Sequence, residues 1–209
     1  MKLNLKLIIE LIKEIGKYIL PLKRIKERFL IINNDEQLKK FIQERSAHVT
    51  QTTLYGYVKT RIGSRHALLF EDKEFSKSIE IAKWNIYVVA IADCLLYTLS
   101  YLLNEKKIKK IEPKKIYFEI LDDEKKNGLP EKNISDAKIE FEKRIEQTNL
   151  NNYYSDKPFQ MSSNALYEWA PIAENLKVLD KEIVINSINL KWNLVENEFK
   201  NLVSKVEKN

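Results

Sequence analysis

Glycine and proline are scarce in this chain, which has four glycines and five prolines among 209 residues. Sheet-rich folds need many tight turns, and these two residues form most of them. Long helices need few turns, so the shortage favours an all-α fold. Hydrophobic residues make up 44% of the chain and charged residues 32%, which is enough apolar material for a packed core. We therefore predict a single-domain helical bundle.

Cysteine and histidine are also rare. Cys94 is the sole cysteine, so an internal disulfide is excluded, and its apolar neighbours indicate a buried structural thiol. Two histidines, His48 and His66, are too few for the usual structural zinc sites. Phosphate-binding loops, dinucleotide fingerprints, serine elbows and RNA-binding signatures are missing. We predict a cytoplasmic protein with no cofactor, no metal and no nucleic-acid partner.

The net charge of +6 is concentrated at one end of the chain. Residues 1–32 contain eight basic and three acidic side chains, whereas the remaining residues contain 28 basic and 27 acidic ones. The positive field therefore belongs to the N-terminal segment. We treat residues 1–32 as an amphipathic basic segment and residues 33–209 as the bundle domain.

Residues 2–20 have helical periodicity, with charged side chains in one sector and aliphatic side chains over most of the rest. Pro21 ends or bends this helix. The interspersed charges argue against a secretory signal and against a membrane span. Two interpretations remain open. The helix packs on the bundle, or it lies in the plane of an anionic membrane surface and makes the protein peripheral to the inner membrane.

The first long helix is predicted over 35–63. Asn34 is suited to cap its N-terminus, with Gln37 three residues later as in a capping box. Gly63 suits the C-terminal end, because glycine adopts a positive φ at little cost. Gly56 inside this helix costs stability relative to alanine. We expect that another helix backbone, or a bound ligand, approaches closely there.

The second long helix is predicted over 73–104, with Asp72 as its cap. Its residues 86–103 are apolar except for one charge, Asp93. This run is just long enough to test as a membrane span, but a central carboxylate is costly there. We favour a core helix. Together with helix 35–63 it forms an antiparallel hairpin around which the bundle is built.

Further helices are predicted over 114–126, 130–147, 163–179 and 181–206, with a loop over 148–162. Pro171 interrupts the third of these. The last helix contains apolar residues at alternating spacings of three and four, which is a heptad seam. This seam packs inside its own bundle or pairs two chains as a homodimer through residues 185–206. Its members are Ile185, Ile188, Trp192, Val195, Phe199, Leu202 and Val206.

The end of the first long helix and its exit loop are rich in aromatic and basic side chains. Such cations can bind phosphate or carboxylate groups, but they also complement the dipole at a helix C-terminus. We take this stretch as the candidate surface for a protein partner or an anionic ligand. Its residues are Tyr55, Tyr57, Lys59, Arg61, Arg65 and His66.

Asp93 is the second candidate, because a buried carboxylate needs a partner. An antiparallel hairpin centred near residue 69 brings Asp93 level with Arg45, and His48 lies one turn further on. We predict a structural ion pair between Asp93 and Arg45 or His48. The functional alternative is a general base beside His48.

Three stretches carry a resemblance to a known family. They are RSAHVTQTTLYGYVKTRIGSR at 45–65, FED at 70–72 and SIEIAKW at 78–84. In these stretches, which span roughly residues 40–100, the chain resembles a family of uncharacterised alphaproteobacterial helical proteins. Some members carry the label esterase. This chain lacks the serine elbow that such an activity would need, so the resemblance transfers no catalytic residue.

These observations favour a non-enzymatic helical adaptor or assembly factor. A protein partner would dock on the Tyr55–His66 surface or on the C-terminal seam. The alternative is an esterase-like hydrolase or a binder of anionic ligands that uses the basic patch. A pocket in which Asp93, His48 and Arg45 converge would favour the enzyme, whereas an exposed apolar patch would favour the adaptor.

Overall fold

The computed structural model describes residue 32 and residues 34–63, 70–108 and 112–204. These described residues are 84% helical and contain no strand, which confirms the all-α bundle. The predicted N-terminal helix 2–20 lies outside them, as do Arg65 and His66. The interpretations of that helix and of the 1–32 boundary therefore stay predictions.

Six α-helices and one short 3-10 turn make up the described fold. The helices are α1 (Asp35–Ile62), α2 (Lys73–Asn104), α3 (Pro113–Lys125), α4 (Glu131–Gln147), α5 (Gln160–Trp169) and α6 (Glu174–Ser204), and the 3-10 turn is Tyr153–Ser155.

The predicted ends of the two long helices are confirmed. The Asn34 side chain accepts a hydrogen bond from the Gln37 amide at 2.9 Å, and the Asp72 side chain accepts one from the Phe75 amide at 2.8 Å. Each bond satisfies an amide that the first turn of a helix leaves without a partner. Gly63 ends α1 with a φ of 61°, a left-handed conformation that glycine adopts without a Cβ penalty.

Helix α2 is the central element of the bundle. It contacts α1, α3, α4, α5 and the 3-10 turn. Among the described helices it is long and apolar enough to cross a membrane, yet 83% of its apolar 18-residue window is buried by the rest of the chain. Its composition is therefore explained by burial on all sides. Cys94 on this helix is fully buried, as predicted, and burial raises the pKa of its thiol to about 12.

Helices α1 and α2 form the predicted hairpin. Ser46 Oγ donates to the Ala90 carbonyl at 3.1 Å, and the Tyr87 hydroxyl donates to the Gln43 carbonyl at 3.3 Å. These contacts place the face containing Tyr87 and Ala90 of α2 against α1. Helix α6 packs on α1 and α5 on another side of the core.

The predicted interruption at Pro171 is confirmed, but the outer boundaries near the C-terminus are wrong. The helix before the break starts at Gln160 and not at 163, and α6 starts at Glu174 and not at 181. Pro171 has no N–H and disfavours helical geometry at the preceding residue, so Ala170 is extended and ends α5. Nothing breaks the chain near Asp180, which lies inside α6.

Candidate functional site

Three of the four described residues of the predicted surface, Tyr55, Tyr57 and Arg61, make contacts within the bundle. Arg61 donates two hydrogen bonds to the Asp180 carboxylate, and the Tyr57 hydroxyl donates to the same carboxylate at 2.9 Å. Asp180 is 5% exposed, so this cluster joins α1 to α6. Tyr55 packs against the Phe70 ring at 6.0 Å between centroids. Lys59 is exposed.

The expectation that another helix backbone approaches Gly56 is wrong for the described residues. Gly56 is exposed, and a Cβ placed there would meet no described atom within 4 Å. The alternative of a bound ligand stays a prediction.

Asp93 is fully buried, as predicted, but its predicted partners are wrong. Its carboxylate accepts hydrogen bonds from the Arg144 guanidinium, from the Tyr153 hydroxyl at 3.2 Å and from the Ser162 amide at 2.7 Å. The hairpin itself forms, since Ser46 of α1 contacts Ala90 of α2, but the predicted rotation of α2 is wrong. Asp93 contacts Arg144, whereas Arg45 contacts Glu198 of α6.

Asp93, Arg144, Tyr153 and Ser162 form a buried network that joins several helices. We call these four residues the hub. The Ser162 amide is in the first turn of α5, which has no capping side chain of its own. Asp93 therefore acts as a cap from a distant helix, with its negative charge at the positive end of the α5 dipole. The Trp192 indole donates to Ser162 Oγ at 3.0 Å, which connects α6 to the same point.

The charges in this hub compensate one another. Burial lowers the pKa of Arg144, but the nearby Asp93 and Tyr153 outweigh it, so the pKa is raised. Burial and the adjacent Asp93 also raise the pKa of the Tyr153 hydroxyl. This hydroxyl has one proton to donate, which is shared between the Asp93 carboxylate and the Pro158 carbonyl. At neutral pH the guanidinium is charged and the phenol is protonated. Asp93, Arg144 and Tyr153 are therefore held in place by contacts with one another. These contacts indicate a structural role.

Arg45 and His48 face a different part of the molecule. The Arg45 guanidinium donates two hydrogen bonds of 2.6 Å to Glu198 of α6 and lies over the Phe41 ring. Arg45, His48, Lys191, Leu194, Val195 and Glu198 line a shallow cavity of about 250 Å³. Burial, together with the positive charges of Lys191 and Arg45, lowers the pKa of the half-buried His48.

A larger cavity of about 560 Å³ lies where α1 begins, with an apolar floor that includes Leu38, Leu102 and Val203. The Lys39 ammonium at its rim contacts Glu119 at 3.2 Å. Within the described residues, no group of three or more histidine, cysteine or acidic side chains could hold a metal ion. This cavity contains no described histidine or cysteine.

Five of the seven residues of the predicted heptad seam are buried in their own bundle; Ile185 is half-buried, and Val206 lies outside the described residues. Ile188, Trp192, Val195, Phe199 and Leu202 are each at most 4% exposed. This outcome confirms the first of the two interpretations of the seam. A homodimer through residues 185–206 would have to use other side chains of that range.

A second apolar row lies on the outer face of α6, and the sequence reasoning missed it. Leu179, Ile183, Leu190 and Leu194 are 74%, 70%, 65% and 64% exposed. At 100° per residue these four side chains fall within a 60° sector opposite the buried seam. Their spacings of four, seven and four residues are readable from the sequence. We call these four residues the outer stripe.

No protein-family model matches this chain, and neither a curated protein nor a solved structure gives a significant match. The resemblance carried by residues 45–84 therefore stays a prediction.

Proposed function

We propose that this protein is a non-enzymatic helical adaptor or assembly factor whose partner docks on the outer stripe of α6. The observation that carries the proposal is the exposure of four large aliphatic side chains in one row. The row spans 16 residues of an uninterrupted helix, or about 22 Å at a rise of 1.5 Å per residue.

The stripe is more than scattered surface apolarity. Single exposed hydrophobic residues are ordinary, but a contiguous apolar patch on a soluble domain usually marks an interaction surface. Helix α6 already has a buried face that anchors it to the bundle, and the stripe makes no such contribution to the packing of the described residues. A partner with a complementary apolar helix face would remove it from water.

The geometry lends little support to the hydrolase alternative. That alternative needed Asp93 to act as a base beside His48. Asp93 instead accepts three hydrogen bonds in the hub, while His48 lines the cavity beside Lys191. The anionic-ligand alternative loses Arg61, whose guanidinium is paired with Asp180. Lys59 is exposed, and Arg65 and His66 lie outside the described residues.

Co-purification from the native host with matched variants tests the adaptor proposal. Leu190→Glu places a charge in the middle of the stripe and should remove the proteins that co-purify with the tagged wild type. Ile139→Glu is the control, because Ile139 is 52% exposed on α4. The proposal fails if both variants retain the same proteins as the wild type.

We also propose a peripheral location at the inner membrane, supported by the sequence of residues 2–20 and by the charge of residues 1–32. Binding of the full chain to anionic vesicles should weaken with added salt, because the field of the basic groups is screened. A chain lacking residues 1–22 should stay soluble and lose the binding. Equal cosedimentation with neutral and anionic vesicles would remove the membrane role, and aggregation of the shortened chain would show that the helix belongs to the core.

A further inference from the structure

We propose that the shallow cavity of about 250 Å³ between α1 and α6 binds phosphate, as the free ion or as the ester of a small soluble compound. Lys191 and His48 are the residues that would hold the phosphate group. We call this space the His48 cavity. The proposal goes beyond the adaptor function, because it concerns a ligand site and not the partner of the outer stripe. It is drawn from the donors that face the cavity, from the lack of partners for these donors and from the charge of the lining.

One face of each helix lines the His48 cavity. Arg45 and His48 are three residues apart on α1, and Lys191, Val195 and Glu198 follow one another at spacings of four and three residues on α6. Side chains at such spacings lie on the same side of a helix. Two helices that are distant in sequence therefore bring basic side chains to one space.

Two donors in this cavity have no partner among the described residues. The His48 ring makes no hydrogen bond with them, and the half-buried Lys191 ammonium makes neither a hydrogen bond nor an ion pair. Other half-buried lysines do have a counter-charge, since Lys39, Lys138 and Lys200 each contact a carboxylate. An anionic ligand in the His48 cavity would supply the counter-charge that Lys191 lacks.

The lining of the cavity has an excess of positive charge. Arg45 donates hydrogen bonds of 2.6 Å to both oxygens of Glu198, so these two charges compensate each other. Glu44 lies 3.8 Å from the Arg45 guanidinium but does not line the cavity. Lys191 then gives the lining a charge of +1, and protonation of His48 makes it +2. A dianion is the ligand that this lining can neutralise.

The donors favour phosphate over carboxylate. A carboxylate is often held by two parallel N–H groups of an arginine, but Glu198 already accepts those of Arg45. Lysine and protonated histidine are separate donors, and lysine binds phosphate as a point charge. The size of the cavity sets a limit as well, because sites for drug-sized ligands begin at about 300 Å³. A phosphate group with a small substituent suits this space, and Leu194 provides an apolar wall for the substituent.

The protonation of His48 reports whether the cavity is occupied. The pKa of His48 is lowered by burial and by the positive charges of Lys191 and Arg45, while Glu198 acts in the opposite direction. These three residues are the charged groups that line the cavity beside the ring. A bound phosphate places negative charge next to the ring and therefore raises the pKa of His48. By linkage, the protonated ring binds phosphate more tightly than the neutral ring does.

Proton NMR of the full chain, titrated with inorganic phosphate, tests the proposal. His48→Gln identifies the signal of His48, because it leaves His66 as the other imidazole. We expect the pKa of His48 to be higher in phosphate than in sodium chloride of equal ionic strength, which screens the same charges without filling the site. Equal pKa values of His48 in the two salts would overturn the proposal, even if the signal of His66 moves.

Matched lysine variants locate the site. Lys191→Gln removes the ammonium from the cavity, and we expect it to weaken phosphate binding about tenfold. Lys181→Gln is the control, because Lys181 is exposed on the same helix and lies about 15 Å along its axis from Lys191. Circular dichroism verifies that both variants are folded. Wild-type affinity in Lys191→Gln, or an equal loss in both variants, would overturn the proposal. Neither lysine belongs to the outer stripe, so the result is independent of the adaptor function.

Ethyl phosphate, titrated in the same way, distinguishes an ester from the free ion. We expect the ester to bind more tightly than inorganic phosphate, because its ethyl group can pack against Leu194. Leu194→Ser should remove this difference and leave the affinity for inorganic phosphate unchanged. Weaker binding of the ester than of inorganic phosphate would overturn the role of Leu194 and leave the free ion as the ligand.

Discussion

The Asp93 hub and the outer stripe of α6 reverse the usual distribution of polar and apolar groups. A carboxylate lies at the centre of the bundle with no exposure to water, and four aliphatic side chains lie on the surface at 64–74% exposure. The hub is fully paired by groups of its own chain. The stripe has no such internal partner among the described residues.

This difference separates a structural feature from a functional one. A buried charge is tolerated when several hydrogen bonds compensate its desolvation, and Asp93 receives them from α4, the 3-10 turn and α5. The exposed apolar row makes no stabilising contact with the other described residues. Burial of such a row in a complex favours association. We therefore assign stability to the hub and binding to the stripe.

Removing the hub carboxylate should have the largest effect on stability. Asp93→Ala leaves the Arg144 guanidinium, which is 13% exposed, without its counter-charge. We expect the free energy of unfolding to fall by about 3–5 kcal/mol, as measured by urea denaturation. Asp122→Ala is the control, because its salt bridge to Lys138 is solvent-exposed and worth less than about 1 kcal/mol. Equal losses for the two variants would contradict the role of the hub.

The two faces of α6 can be compared with residues two positions apart. Ile188 is fully buried and Leu190 is 65% exposed. Ile188→Ala should destabilise the monomer by about 2–5 kcal/mol through the lost burial and the cavity. Leu190→Ala should change it by less than about 0.5 kcal/mol while weakening association. Denaturation in dilute solution, where the monomer dominates, measures both. A similar loss for Leu190→Ala would mean that the stripe is part of the core.

Asp180 is buried although it is the neighbour in sequence of Leu179, the most exposed residue of the outer stripe. Asp180→Asn keeps the shape but removes the charge that holds Arg61 and Tyr57. We expect a loss of about 1.5–3 kcal/mol, the usual range for hydrogen bonds to a charged group. Lys59→Gln removes an exposed charge from the same patch and should be nearly neutral. If Lys59→Gln is the more harmful change, the patch has a role beyond this contact.

Much of the hairpin was predictable because its signals are local. Asn34, Asp72 and Gly63 mark helix ends through bonds or backbone angles within a few residues, and each is confirmed. The burial of Asp93 followed from its position in an apolar run. Its partner did not, because a register fixes the level of a residue along a helix and leaves the rotation open. Arg144 is 51 residues away in sequence, and nothing local connects the two.

The outer stripe was missed for a different reason. Helix α6 has two apolar rows on opposite faces. The seam through Ile188 and Trp192 is enough by itself to explain how the helix packs on the core. The second row at Leu179, Ile183, Leu190 and Leu194 becomes informative only when the first is known to be buried. Two opposite apolar rows on one long helix therefore predict an exposed apolar surface, because a single core can cover only one of the rows.

The smallest effect concerns pH at the cavity beside the stripe. The pKa of His48 is lowered from its ordinary value of 6.5, first by burial and then by Lys191 and Arg45, against the opposing effect of Glu198. The folded chain therefore binds fewer protons than the unfolded chain in this range. The stabilising contribution is present above pH 6.5 and is lost as the pH falls through the lower, folded pKa. Since His48 is half-buried, the contribution should be less than about 1 kcal/mol.

This linkage can be measured with His48→Gln, which removes the titrating group and keeps a polar side chain. Urea denaturation between pH 7.5 and pH 5 should show a slightly larger loss of stability for the wild type than for the variant. Proton NMR gives the pKa directly, and His66→Gln identifies which imidazole signal belongs to His48. A pKa of His48 above 6.5 would mean that Glu198 outweighs burial and the two cations.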